Sequence, residues 1–68
     1  MDEDDRKLIV RLCTRAGMMM EDANAVAIGT AGLEHAELVQ TVSDLAAVAA
    51  DIHKIVSAAE ALAKSSTP

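Results

Sequence analysis

Apolar residues recur at alternating three- and four-residue intervals along most of the chain. In the first half the series is Ile9, Leu12, Ala16, Met19, Ala23 and Val26. In the second it is Leu38, Val42, Leu45, Ala49, Ile52, Val56, Ala59 and Ala63. Such steps bring a side chain back to the same helical face every seven residues, the a/d pattern of helices that pack knobs into holes. Gly29-Thr30-Ala31-Gly32 is the one clear break, because Gly ends helices and Thr or Gly can start them. The pattern predicts helix 1 over about 3–28, a turn at 29–32, helix 2 over about 32–64 and a frayed tail at 65–68, together one helical-hairpin domain. Gly17 interrupts nothing in the stepping, and a mid-helix Gly costs only about 1 kcal/mol relative to Ala, so helix 1 is expected to run through it.

The helix ends carry fitting charges. Asp2, Glu3, Asp4 and Asp5 stand where free backbone N–H groups and the positive dipole end favour acids, and Lys64 stands where the opposite sign is favoured. Asp2–Arg6 and Glu3–Lys7 are spaced to form ion pairs across one turn.

A short turn makes the helices antiparallel, which gives an all-α hairpin. Helix 2, the longer of the two, is expected to overhang helix 1 by roughly 10 Å at 1.5 Å per residue. Outside the a/d series, Val48, Ile55 and Leu62 form a second stripe at heptad spacing, and helix 1 has Leu8, Val10, Cys13 and Met20 outside its own seam. One hairpin cannot cover all of these, so two hairpins joined as a four-helix bundle are expected. The expected interface comprises Leu12 and Met19 of helix 1 with Val42, Leu45, Val48, Ile52, Ile55, Val56 and Leu62 of helix 2.

Composition strengthens the case for association. Fourteen of the 35 hydrophobic residues are Ala, and Phe, Tyr and Trp are absent. Ala buries little area, and a chain of 68 residues with such a core is marginal without staples. Cys13 is the only cysteine, so no disulfide within the chain can help; a lone thiol fits a reducing compartment, where it packs as a small apolar residue. The net charge of −5 disfavours nucleic acid as a partner, and no apolar run reaches the roughly 18 residues of a membrane span. The acidic start is the reverse of a secretory signal, so a cytoplasmic protein is expected.

The candidate chemistry is sparse. His35 falls on an a-type position beside the turn. The run His35-Ala36-Glu37-Leu38-Val39-Gln40-Thr41 resembles the phosphoacceptor box of histidine kinases, but a residue is inserted after the His and neither a basic residue nor a Pro follows, so the family is not assigned. His53 has no ligand three or four residues away: positions 49, 50, 56 and 57 are Ala, Ala, Val and Ser. Met18, Met19 and Met20 point about 100° apart and cannot converge on one ion. No metal or other cofactor is expected. Cys13 has Arg6, Lys7 and Arg15 in nearby turns but is read as inert packing rather than a reactive thiol.

Two stripes remain. Lys7, Arg11 and Arg15 form a basic line on helix 1 and candidate contacts for a protein partner; Glu37, Asp44 and Asp51 form an acidic line on helix 2. A chain without a cleft or converging polar groups is expected to be a non-enzymatic, homo-oligomeric interaction or regulatory module. The alternative is an RNA regulator that uses the basic line. Its architecture is similar to that of plasmid copy-number regulators, acidic helical-hairpin dimers that hold RNA on one basic face.

Overall fold

A computed structural model describes residues 2–65. The chain forms two helices that pack against each other: α1 over Glu3–Ile28 and α2 over His35–Ser65, joined by a 3₁₀ turn at Gly29–Gly32. No strand occurs among the described residues. The hairpin is long and thin, 52 × 15 × 12 Å.

Helix α1 begins with a side-chain cap. Asp2 is extended, at φ −64° and ψ 141°, and its Oδ1 accepts a hydrogen bond from the Asp4 backbone N–H at 3.3 Å. Glu3, Asp4 and Asp5 fill the first turn, where carboxylates favour the positive end of the dipole. The expected ion pairs Asp2–Arg6 and Glu3–Lys7 do not form; among the described residues the one-turn pair is Glu60–Lys64, at 3.6 Å and largely exposed to water. Helix α1 then runs unbroken through Gly17.

The turn keeps negative φ throughout. Gly29 sits at φ −77°, ψ −4°, and no glycine among the described residues is left-handed. The chain therefore tightens into a 3₁₀ turn rather than reversing at once. The Thr30 hydroxyl donates to the Ala27 carbonyl at 2.8 Å, and the Leu33 N–H donates to the Thr30 carbonyl at 3.2 Å. Leu33 is extended, so α2 starts at His35, three residues later than the spacing predicts. Ser65, expected in a frayed tail, is the last residue of α2; positions 66–68 of that tail lie outside the described residues.

The seam between the helices follows the buried and half-buried positions. On α1 these are Asp5, Ile9, Leu12, Ala16, Met19 and Ala23; on α2 they are Leu38, Thr41, Leu45, Val48, Ile52, Ile55, Ala59, Leu62 and Ala63. Counted outward from the turn, Ala23 stands level with Leu45, Met19 with Val48, Ala16 with Ile52, Leu12 with Ile55 and Ile9 with Ala59. Two expectations change here. The α2 stripe Val48, Ile55 and Leu62 belongs to the seam, whereas Val42, Ala49 and Val56 turn outward. The overhang also disappears: the 3₁₀ turn extends the α1 side, and α2 ends against the first turn of α1, where Leu62 and Ala63 are half-buried. Val26, expected on the seam, is 48% exposed.

Among the described residues only Ala16 and Ala59 are buried, at 2% and 5% exposure, and no large side chain is fully enclosed. Small residues at these levels let the backbones approach, and larger ones would force them apart. Ala16→Leu should therefore cost about 1–3 kcal/mol through overpacking. Ala25→Leu, at an exposed position of the same helix, should leave stability nearly unchanged. Melting followed by circular dichroism checks both.

Candidate association surface

Two long faces flank the seam. A groove of about 220 Å³ fixes which flank of α1 lies beside which flank of α2: its walls include Met19, Asp22 and Val26 of α1 with Asp44 and Val48 of α2. Heptad spacing extends this face to Arg15, one heptad before Asp22, and to Glu37 and Asp51, one heptad either side of Asp44. It is a charged face. Gln40 Nε2 donates to Asp44 Oδ1 at 2.9 Å, which ties down one carboxylate of the acidic line.

The opposite flank is different. On α2 it carries Val42, Ala49 and Val56 at heptad spacing, with Ala46 and His53 beside them; on α1 it carries Cys13 and Met20. Val42 is 54% exposed, Met20 49% and Val56 42%. Between Leu38 and Ala59 every charged residue of α2, namely Asp44, Asp51 and Lys54, lies off this face. Its charges, Asp2, Arg6, Glu60 and Lys64, are confined to the end away from the turn. Burial of Val42, Val56 and Met20 would each contribute about 1 kcal/mol, since roughly half of each is already covered.

The residues expected at an interface thus divide. Leu12, Met19, Leu45, Val48, Ile52, Ile55 and Leu62 are half-buried positions of the intramolecular seam, and Val42 and Val56 stand on the open face. Lys7, Arg11 and Arg15 are all exposed. Cys13, expected to be buried packing, is exposed because its position falls one residue past the seam. The spacing did not single out Ala49 and Met20 as one surface with Cys13. The missing signal was the level of each residue relative to the turn, which only the register between helices supplies.

Polar chemistry does not converge. His35 and His53 are both exposed, and the Ser57 hydroxyl lies 3.5 Å from His53 Nε2. Among the described residues no three His, Cys, Asp or Glu side chains gather as a metal would need. No helix among them is long and apolar enough to cross a membrane. No family model matches the chain, and no curated protein or solved structure matches it either.

Titration with zinc and with copper in a calorimeter should reveal no stoichiometric micromolar site, since His53 has no second ligand one turn away on its face. A site that vanishes in His53→Ala would contradict this.

Proposed function

We propose that the chain is a small non-enzymatic interaction module that works as a homodimer, with two hairpins joined into a four-helix bundle through helix–helix contacts. The observation that carries this reading is its surface. The hairpin exposes 5177 Å², against about 4,100 Å² for a globular protein of 7.1 kDa. Its radius of gyration is 15.7 Å, against about 11 Å for a compact chain of this length. The excess of about 1,100 Å² is comparable to the roughly 800 Å² per partner that a standard interface covers. Four helices around a shared core would bring the area per chain back to the ordinary range.

A protein partner suits the surface better than nucleic acid. The basic line of Lys7, Arg11 and Arg15 is bounded by acids on its own stripe, with Asp4 one heptad before Arg11 and Asp22 one heptad after Arg15. A phosphate backbone following this line would meet a carboxylate at either end. A regulatory role in the cytoplasm accords with this reading: the outer faces of the dimer would present charged stripes to a further protein.

Folding and association are then coupled, and the apparent melting temperature should rise with protein concentration. Two substitutions separate the surfaces. Val56→Asp on the open face should abolish the dimer in sedimentation, and Ile55→Asp on the seam should leave an unfolded or molten chain. Asp51→Ala, on neither apolar surface, should change little. A wild-type chain that sediments as a fully folded monomer at micromolar concentration would refute the homodimer.

A further inference from the structure

The charges of the hairpin are segregated, and the groove between its helices lies in the acidic part. Residues 17–51, the half around the turn, hold Glu21, Asp22, Glu34, Glu37, Asp44 and Asp51. All six Lys and Arg residues lie outside that stretch, so its charge is −6 with His neutral. The linear sequence hides this, because the acidic half combines the end of α1 with the start of α2.

The groove has an apolar floor and an acidic rim. Met19, Ala23, Leu45 and Val48 line it as half-buried side chains, while Asp22 and Asp44 line it exposed, one from each helix. Its volume of about 220 Å³ is below the roughly 300–1,000 Å³ of sites that enclose a small molecule. An open trough between two helices instead suits side chains projecting from a third helix. Along α2 the acidic rim continues one heptad either way from Asp44 to Glu37 and Asp51, 14 residues apart, or about 21 Å of helix. Among the described residues no Lys or Arg is ion-paired with these carboxylates. The Gln40 amide that donates to Asp44 is neutral and leaves the charge uncompensated.

We infer that this groove is the docking site for a cationic amphipathic helix of another protein, about 14 residues long, with aliphatic side chains at heptad spacing on the floor and Lys or Arg beside them along the rim. The inference rests on the reading of the chain as an interaction module but not on the homodimer, because one hairpin builds the whole groove. Both parts of the surface specify the occupant. A neutral or acidic helix would desolvate Asp22 and Asp44 without compensation. A helix that brings its own cations replaces the lost hydration with ion pairs. Cations alone would gain little, since exposed pairs are weak, and the apolar floor supplies the rest of the contact. A second copy is a poor occupant: its basic line of Lys7, Arg11 and Arg15 has Asp4 at one end and Asp22 at the other, and would bring carboxylates to the rim together with the cations.

The test uses a fluorescein-labelled synthetic peptide of about 14 residues, with Leu at the a and d positions, Lys at e and g, and Ala elsewhere. Titrated with the wild-type chain, its fluorescence anisotropy should saturate at one peptide per hairpin. The backbone amide shifts of Met19, Asp22, Val26, Asp44 and Val48 should move most. Asp22→Asn combined with Asp44→Asn should weaken binding about three- to tenfold. Glu21→Gln, which removes an exposed carboxylate that does not line the groove, should leave binding nearly unchanged. Peptides with Ser for Leu, or Glu for Lys, should not saturate. The docking site is overturned by a Lys–Leu peptide that does not bind, by shifts centred away from the groove, by a Leu-free peptide that binds as well, or by equal weakening in Glu21→Gln. Sedimentation separates this from the dimer. A monomeric wild-type chain that binds the peptide in its groove would remove the homodimer and uphold the docking site, whereas a dimer that ignores the peptide would do the reverse. A dimer that dissociates in the double Asn variant, with its helical content intact, would give the groove to the second copy and equally overturn the docking site.

Discussion

Everything in this fold hangs on a single seam. Two helices share one line of contact, and each residue on it faces a single neighbouring helix rather than several. A larger domain encloses its core side chains from all directions; here, among the described residues, only Ala16 and Ala59 are enclosed, because a methyl group is small enough for two backbones and their nearest side chains to surround. Ile9, Leu12, Met19, Ile52 and Ile55 cover one flank of themselves and leave the other open. Regular heptad stepping and high helix propensity supply the order that buried volume supplies elsewhere. The price is a long surface with too little underneath it.

Much of this was legible in the sequence, and the failures have clear causes. The bounds of α1 follow from Asp2 as a cap and Gly29 as a stop. The start of α2 was misplaced because Gly32 looked like a helix start, when the 3₁₀ hydrogen bond from Leu33 to Thr30 holds it in the turn. The seam on α2 was ambiguous in a more instructive way. Two heptad frames share Leu38, Leu45, Ile52 and Ala59. One adds Val42, Ala49, Val56 and Ala63; the other adds Thr41, Val48, Ile55 and Leu62. The structure places the second on the seam. It half-buries a threonine, but Val48, Ile55 and Leu62 together bury more apolar surface than Ala49, Val56 and Ala63. Spacing alone cannot choose between the frames, whereas summed side-chain size does.

That choice decides what is left outside. With the larger side chains committed to α1, the open face of α2 is made of Val42, Ala46, Ala49 and Val56. Its apolar content is modest per residue, but it is free of charge over several turns. The opposite face carries Asp22 and Asp44 beside its groove, with Arg15 and Asp51 one heptad further along their helices. Desolvation of four charges would offset much of what burial of Val26 and Val48 returned. Of the two flanks, the uncharged one therefore loses least on contact with a partner, although it holds no large residue comparable to Ile52.

The same geometry bears on where chemistry could reside. Side chains on an isolated helix radiate outward, and the outer positions of α1 and α2 diverge from one another. Groups from both helices converge only along the seam and its two edges. The seam is filled by aliphatic side chains apart from Asp5 and Thr41, and one edge is the apolar face already described. The remaining edge brings Asp22 and Asp44 to the rim of a shallow apolar groove, with no His or Cys beside them. His35, His53, Cys13 and the basic line are each held by one helix and supported by no facing element. A second copy on the open face would change that condition there alone: Cys13 and His53 would gain neighbours from another chain, whereas Arg11, Arg15 and the acidic line would stay outermost. The charged stripes are thus the part of the molecule that a dimer would leave available to a further partner, and the helix pairing determines how they are arranged in space.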